Sequence, residues 1–145
     1  MKQIKTLWLV LGFVWSLPNT LIGFIIGAAG YLVSHITGDK SARIKFDRGL
    51  FLFEYNPALV KNSALCLGFS HLYSSASCQI LNNGTLCKDH EDQHTIQSMV
   101  LGPFFLPIYA LCAIIAMIRG SNPIGPRNLL ELGPYSCPPR PWPRP

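Results

Sequence analysis

Charged side chains are scarce in this sequence. Asp, Glu, Lys and Arg make up 13% of the 145 residues, roughly half of the ~25% found in typical globular domains. Hydrophobic residues reach 49%, and the mean hydropathy is +0.28. This balance excludes an intrinsically disordered chain and an ordinary soluble enzyme with a charged surface. A single membrane-associated domain fits both the length and the composition.

Two recurring patterns are also absent. The twelve Lys and Arg residues give a net charge of +5 but are scattered along the chain, mostly beside apolar stretches. A nucleic-acid-binding protein clusters its cations on one face or arm, so we expect membrane lipid as a partner and no nucleic acid. The five cysteines form no C-x-x-C pair, which excludes a zinc ribbon or a thioredoxin-type motif.

The first long apolar run, residues 6–38, contains no Asp, Glu, Lys or Arg. As one helix it would measure about 50 Å, more than one membrane crossing and less than two. Pro18 interrupts it, and Asn19 or Thr20 can cap a new helix. Two arrangements stay open: a single tilted, kinked span, or a short interfacial or re-entrant helix followed by a span over 21–35. A cleaved signal peptide fits less well because the run is too long.

Gly23 and Gly27 form a G-x-x-x-G pattern within this run. Such a pattern permits close packing of the helix backbone. We expect it to pack inside the same chain rather than at a dimer contact.

The middle of the chain predicts β-structure. Residues 42–55 alternate apolar and basic side chains around Asp47-Arg48-Gly49, which predicts a β-hairpin. A further strand or short helix is expected over 64–72, and Asn82-Asn83-Gly84 predicts a turn. Residues 95–118 form the second uncharged run, which Gly102-Pro103 and Pro107 should kink.

The predicted fold is therefore an α+β integral membrane protein with one domain over residues 1–132. An apolar N-terminal segment and a C-terminal transmembrane helix flank a small β-hairpin region and a helix at the bilayer surface. The expected ranges are 6–38 for the first apolar segment, 39–86 for the β-containing polar region, 87–101 for the surface helix, 99–119 for the second span, and 133–145 for a mobile, proline-rich polyproline II tail.

The segment at 90–94 carries the pattern expected of a metal site. On a helix, His90 and His94 lie on one face and both imidazoles can bind one zinc ion. Glu91 is rotated by about 100° from His90 and approaches the metal without being a ligand. In zinc peptidases of this pattern, that glutamate accepts the proton of the attacking water. Ionisable groups next to an apolar span are costly and are usually functional.

A catalytic zinc site needs a third protein ligand and an open position. Glu131 is the sole acidic residue after Asp92, which makes it the leading third ligand by elimination and gives a His₂Glu set. Its alternative role is to offset the charge of Arg127. His71 is the other possible ligand, although a lone histidine in a half-apolar segment more often makes structural hydrogen bonds.

Two further side chains of this segment have alternative roles. Gln97 lies three residues after His94 on the same face and can hydrogen-bond a ligand or the substrate. Asp89 can stabilise the N-terminus of the helix or hydrogen-bond an imidazole that binds the metal.

At these residues the sequence resembles the gluzincin class of zinc peptidases, in particular its small, membrane-associated members. It is most similar to an uncharacterised group of small bacterial membrane proteins, which implies a multi-pass location in the bacterial inner (cytoplasmic) membrane. The resemblance implies His90, His94 and Glu131 as zinc ligands and Glu91 as the general base. The matching positions are Leu17-Pro18-Asn19-Thr20, Gly68 with His71, His90 to Gln97, Gly102-Pro103, Leu106-Pro107, and Asn128 with Glu131.

The function expected from the sequence is zinc-dependent hydrolysis of peptide bonds close to the membrane, with peptides or membrane-protein segments as substrates. Two alternatives belong to other classes of protein. One is a non-catalytic membrane protein in which the metal only fastens the middle region to the helices. The other is a small membrane interaction protein without a metal.

Overall fold

The structure is a computed structural model of α+β type that describes residues 2–77 and 86–136. Two helices come first, a four-stranded sheet follows, and three more helices complete the described chain. The elements are α1 (Lys2–Trp15), α2 (Leu17–Ile36), β1 (Arg43–Asp47), β2 (Leu50–Glu54), β3 (Ala64–Leu67), β4 (Ser70–Tyr73), α3 (Cys87–Leu101), a 3₁₀ turn (Gly102–Phe104), α4 (Phe105–Ile118) and α5 (Leu132–Ser136). The turn expected at 82–84 lies outside the described residues.

The first apolar run forms two helices that join at Ser16. Pro18 lies in the first turn of α2, where the missing N–H costs no helical hydrogen bond. The expected capping role of Asn19 or Thr20 is wrong, because Ser16 occupies the N-cap position and makes no side-chain cap bond. Asn19 instead donates hydrogen bonds to Ser98 Oγ and to the carbonyl of Gly102. It therefore fastens the start of α2 to the far end of α3.

The four strands form one mixed sheet with the order β1-β2-β4-β3. The expected hairpin is confirmed: β1 and β2 are antiparallel, and Arg48 and Gly49 between them both have positive φ, as a two-residue type I′ turn requires. Residues 64–72, for which one strand or short helix was expected, contribute to two strands. β3 and β4 pair antiparallel around Gly68, and β4 pairs parallel with β2.

The glycines of α2 pack against this sheet. A Cβ on Gly27 would lie 2.5 Å from the ring of Phe53, and a Cβ on Gly23 would lie 2.8 Å from Leu67 Cβ. The amide of Asn56 donates a 2.9 Å hydrogen bond to the carbonyl of Gly27. The G-x-x-x-G pattern thus packs inside the chain, as expected, but its partner is a sheet rather than a helix.

Two helical segments are long and apolar enough to cross a membrane, judged by length and composition: Leu17–Ile36 and Cys87–Ile118. The second is interrupted near the start of the expected span, 99–119. α3 ends at Leu101, Gly102 has φ of 56°, and α4 begins only at Phe105. The expected kink at Gly102-Pro103 is therefore present as a short 3₁₀ turn.

Part of the segment expected to be a mobile tail is helical. Residues 133–136, assigned to the tail by composition, belong to α5 (Leu132–Ser136), which packs against α3. Pro134 lies in the first turn of this helix, where proline is tolerated. The ring of Tyr135 lies 4.8 Å from the ring of His90. Residues 137–145 are outside the described part of the chain.

We predict that Gly27→Val destabilises the protein much more than Ala29→Val. A side chain at 27 meets the Phe53 ring, and such overpacking costs about 1–3 kcal/mol. Ala29 is exposed on the same helix, so a valine there meets no packed ring; helix propensity alone would make Ala29→Val the more destabilising change, because valine is a better helix former than glycine and a poorer one than alanine. Thermal and denaturant unfolding measure the difference. Equal destabilisation by both variants would contradict the packing of α2 on the sheet.

Candidate metal centre

The two motif histidines lie on one buried face of α3. Each is about 95% buried, and their ring centroids are 5.1 Å apart. This arrangement follows from the four-residue spacing, which places both side chains on the same side of the helix. The sequence predicted the helix with the bounds that the structure has, Cys87–Leu101.

Glu131 reaches these histidines from the segment that follows α4. Its Oε2 atom lies 3.2 Å from His90 Nε2, and its Oε1 atom lies 3.3 Å from His94 Nε2. Asn128, which is fully buried, shapes the turn before it: its amide donates to the Pro123 carbonyl and accepts from the backbone N–H of Leu130. The Asn-x-x-Glu pattern of the sequence is therefore a turn that presents a carboxylate.

The distances in this group fit a tetrahedral metal. Two ligand atoms that each lie 2.0–2.1 Å from zinc in tetrahedral geometry are ~3.3 Å apart. The two measured separations between imidazole nitrogen and carboxylate oxygen are 3.2 and 3.3 Å. His90, His94 and Glu131 form a buried group whose ligand atoms all lie within 4.8 Å of one another. The group can therefore hold a metal ion.

One carboxylate oxygen of Glu131 is available to bind such an ion. Among the described residues its Oε2 atom has no hydrogen-bond partner, although His90 Nε2 is close. A buried charged oxygen without a partner is costly unless it binds a cation. Burial by itself raises the pKa of this carboxyl, but the imidazoles of His90 and His94 and the hydroxyl of Tyr109 outweigh burial and lower the pKa to about 2. Glu131 is therefore an anion at neutral pH.

Gln97 fixes the orientation of the His94 ring. Its Nε2 atom donates a 2.7 Å hydrogen bond to the Leu130 carbonyl, so its Oε1 atom faces His94 Nδ1 at 2.9 Å. An amide oxygen only accepts, so Nδ1 carries a hydrogen, and Nε2, which faces Glu131, is the ring nitrogen placed to bind a metal. The structure shows Gln97 bonded to His94, a member of the group that could hold a metal ion. The same side chain also ties α3 to the segment that carries Glu131.

The sequence did not single out Tyr109, which the structure brings into the site. Its hydroxyl on α4 donates a 2.5 Å hydrogen bond to Glu131 Oε1, and its ring lies 6.1 Å from the ring of His94. The sequence did contain one indication that Tyr109 has a specific partner: it is the one hydroxyl-bearing residue between Met99 and Ile118. A polar group isolated in an apolar run needs a hydrogen-bond partner once it is buried.

A pocket of about 270 Å³ opens onto the three residues of the metal-binding group and onto Glu91. Glu91 is 5% exposed and lines this pocket, but it is not a member of the metal-binding group. The residues of β3 and the ring of Tyr135 form other walls. The pocket is therefore large enough for part of a substrate beside the ligands.

His71 lies behind α3 and is not a member of the metal-binding group. It is fully buried, and its ring contacts Thr95 Oγ1 at 2.6 Å and the Tyr73 hydroxyl at 3.0 Å. Thr95 follows His94 on α3, so His71 holds the ligand helix against the sheet. Complete burial, together with the nearby charge of Lys88, lowers the pKa of His71 to about 3. The imidazole is therefore neutral at physiological pH.

Asp89 lies in the first turn of α3, where a negative charge interacts favourably with the helix dipole. Within residues 2–77 and 86–136 its carboxylate makes no hydrogen bond to an imidazole. Of its two expected roles, the structure favours the one at the helix N-terminus.

We predict that Gln97→Leu weakens zinc binding by about 10–100-fold, the usual cost of losing a hydrogen bond to a ligand histidine. All three ligands remain in this variant, so metal titration should still reach one zinc per chain. Gln93→Leu, one turn earlier on the same helix, is the matched control and should keep the parent affinity. Parent affinity in both variants would contradict the role assigned to Gln97.

We also predict that His71 contributes to acid sensitivity. Its pKa is lowered to about 3 in the folded protein, so below about pH 6.5 the unfolded chain binds a proton that the folded protein does not. Its contribution to stability is complete above that pH and falls as the pH drops, by up to about 1.4 kcal/mol per unit. His71→Gln should flatten the dependence of unfolding free energy on pH between 6.5 and 5. An unchanged slope would contradict a neutral, buried His71.

Comparisons with known proteins do not assign this chain to a family. No family model matches it, and no curated protein or solved structure shows significant similarity to it. Its function is therefore inferred from the geometry of the metal centre and of the pocket beside it.

Proposed function

We propose that this protein is a zinc-dependent peptidase that cleaves peptide bonds beside a membrane surface. One observation above all supports the proposal. The Nε2 atoms of His90 and His94 and the carboxylate of Glu131 meet in a pocket that also contains Glu91. Two imidazoles and one carboxylate are the ligand set of many zinc peptidases, with a glutamate on the same helix as the base.

Two histidines and a carboxylate also bind non-haem iron(II), but a glutamate directly after the first histidine of an i, i+4 pair on one helix is the pattern of zinc peptidases and favours zinc. Imidazole nitrogen and carboxylate oxygen both bind zinc well, and a site with three protein ligands leaves a position open for catalysis. Bound zinc supplies a Lewis acid that polarises the scissile carbonyl and makes water acidic enough to attack at neutral pH. Among the described residues, the metal-binding group contains three side chains and not four, which favours a catalytic site over a structural one.

Glu91 moves the proton in this proposal. Its side chain directly follows His90 on α3 and lines the pocket. A carboxylate in this position accepts a proton from the attacking water and delivers it to the nitrogen of the leaving amine. A residue that carries out these two proton transfers must face the pocket and must not be a metal ligand. Glu91 lines the pocket and is not a member of the metal-binding group.

The edge of the sheet favours a peptide as the substrate. β3 is the last strand in the sheet order, and its residues line the pocket. The backbone N–H of Ser74 donates to the carbonyl of Ser63, and hydrogen-bonded pairs alternate along an antiparallel ladder. The backbone groups of Ala64 and Cys66 therefore point away from β4. An extended peptide can add to such an edge as a further strand, with its amide groups running past the metal ligands.

The exposed apolar surface supports a membrane location. Large hydrophobic residues of α1, α2 and α4 are exposed, among them Ile25 at 66%, Ile36 at 83% and Ile118 at 80%. Soluble monomers rarely expose contiguous apolar patches this extensive. The resemblance to small bacterial membrane proteins makes the bacterial cytoplasmic membrane the proposed location. Peptides or segments of membrane proteins are the proposed substrates at its surface.

We predict that Glu91→Gln keeps one zinc per chain but lowers peptidase activity by about 10²–10⁴-fold, because the base is lost while the ligands remain. Glu131→Gln should lose zinc and activity together. Activity is measured with internally quenched peptide libraries on full-length protein in lipid vesicles, and zinc by elemental analysis.

Asp89→Asn is the matched control, because it removes a carboxylate of the same helix that lies outside the pocket lining. It should keep both the zinc and the activity. Full activity in Glu91→Gln would contradict the mechanism, and full zinc content in Glu131→Gln would contradict the ligand set.

A further inference from the structure

The two faces of α2 differ sharply. One face carries its small and polar residues, including Thr20, Gly27 and Ser34, and is buried. The opposite face carries apolar side chains that are exposed along the whole helix: Leu21, Ile25, Leu32 and Ile36. These four residues lie within about 60° of one another around the helix axis, since each residue advances by about 100°. They form one straight line, here called the apolar stripe.

The sheet covers the buried face over most of its length. Near the start of α2, the backbone N–H of Phe69 donates to Thr20 Oγ1. Near its end, the backbone N–H of Ala42, which leads into β1, donates to Ser34 Oγ. The distance from Thr20 to Ser34 is about 21 Å along the helix. The hydrocarbon core of a bilayer is about 30 Å thick, so an upright α2 would carry the sheet into it.

The hydrocarbon core of a bilayer is an unfavourable environment for this sheet. Gly27, near the midpoint of α2, contacts Phe53, and Phe53 pairs with Ile44 of β1. The neighbours of Ile44 are Arg43 and Lys45, both exposed. Lys45 is paired with Glu54 at 2.6 Å, but among the described residues no carboxylate pairs with Arg43, which lies over the Tyr55 ring. An upright helix would hold this cation near the middle of the hydrocarbon, where charge is strongly unfavourable.

The outer edge of β1 would also be unfavourable in the hydrocarbon core. Among the described residues no strand pairs with this edge, and open sheet edges do not occur in contact with lipid tails. Both Arg43 and the edge require water or lipid head groups. Neither requirement can be met if α2 crosses the membrane upright.

We propose that α2 lies flat in one face of the membrane, with the apolar stripe in the hydrocarbon and the sheet on the aqueous side. This inference rests on the membrane location proposed above and specifies how the protein meets the lipid. It keeps Arg43, Lys45 and the β1 edge in water or among head groups. Trp8 and Trp15, exposed on α1, suit the same interfacial depth.

Depth measurements along the stripe distinguish the two orientations. Ile25 and Ile36 are about 16 Å apart along the helix axis. In a flat helix they lie at one depth, whereas in an upright helix Ile25 lies near the bilayer centre and Ile36 near a surface. An environment-sensitive fluorescent amino acid is introduced singly at Ile25, Leu32 or Ile36 in the full-length protein. Each variant is placed in phosphatidylcholine–phosphatidylglycerol vesicles with lipids that carry a nitroxide at a shallow or a deep position.

A flat helix gives the same ratio of shallow to deep quenching at all three positions. A ratio that favours deep quenching at Ile25 and shallow quenching at Ile36 overturns the proposal. Loss of quenching at every position overturns both this proposal and the membrane location. Zinc content and peptidase activity are measured on the same samples, so a failure of the peptidase proposal is seen separately from a failure of the orientation.

Discussion

The carboxylate of Glu131, buried between two imidazoles, is the interaction around which the C-terminal half of the described chain is arranged. A buried anion is tolerated only if it is paired or bound to a cation. Three separate elements meet that requirement: α3 supplies the imidazoles, α4 supplies the Tyr109 hydroxyl, and Asn128 shapes the turn that presents the carboxylate. The side chain of Gln97 then links His94 to the backbone beside Glu131. A divalent cation at this point would neutralise a buried charge, because among the described residues Glu131 Oε2 has no hydrogen-bond partner.

A second constraint connects this centre to the apolar surface. Asn19 at the start of α2 bonds Ser98 and the carbonyl of Gly102 at the end of α3, and the rest of α2 packs on the sheet. His71 of that sheet in turn bonds Thr95, the residue after His94. The depth and tilt of α2 in a membrane would therefore determine how far the pocket lies from the membrane surface. A flat α2 would hold the pocket close to the surface, where a peptide segment leaving the bilayer can reach the edge of β3.

The features that follow from local spacing could be predicted from the sequence. The four-residue separation of His90 and His94 defines a helix face, Asp47-Arg48-Gly49 defines a hairpin turn, and Gly102-Pro103 breaks a helix. Each of these depends on neighbouring residues alone. The bounds of α3 were predicted for the same reason, because the sequence Asn82-Asn83-Gly84 predicts a turn before the helix and Gly102 follows it.

The features that depend on distant contacts could not be derived in this way. Glu131 was reached by elimination and by resemblance, because nothing in its neighbours shows that its carboxylate returns to α3. The parallel pairing of β2 with β4 and the packing of Gly27 on Phe53 are likewise non-local. Asn19 was assigned a local capping role because its partner, 79 residues away at Ser98, is invisible to spacing. Residues 133–136 were assigned to the tail because their proline content hides a short helix that packs on α3.

Zinc K-edge X-ray absorption on the full-length protein with one equivalent of zinc tests the central claim most directly. The account predicts nitrogen and oxygen neighbours at about 2.0–2.1 Å, with the outer-shell scattering of two imidazoles and no sulfur. A sulfur neighbour at about 2.3 Å would mean a cysteine ligand and a different kind of site. That result, or a protein that retains no zinc, would contradict a three-ligand centre built from His90, His94 and Glu131.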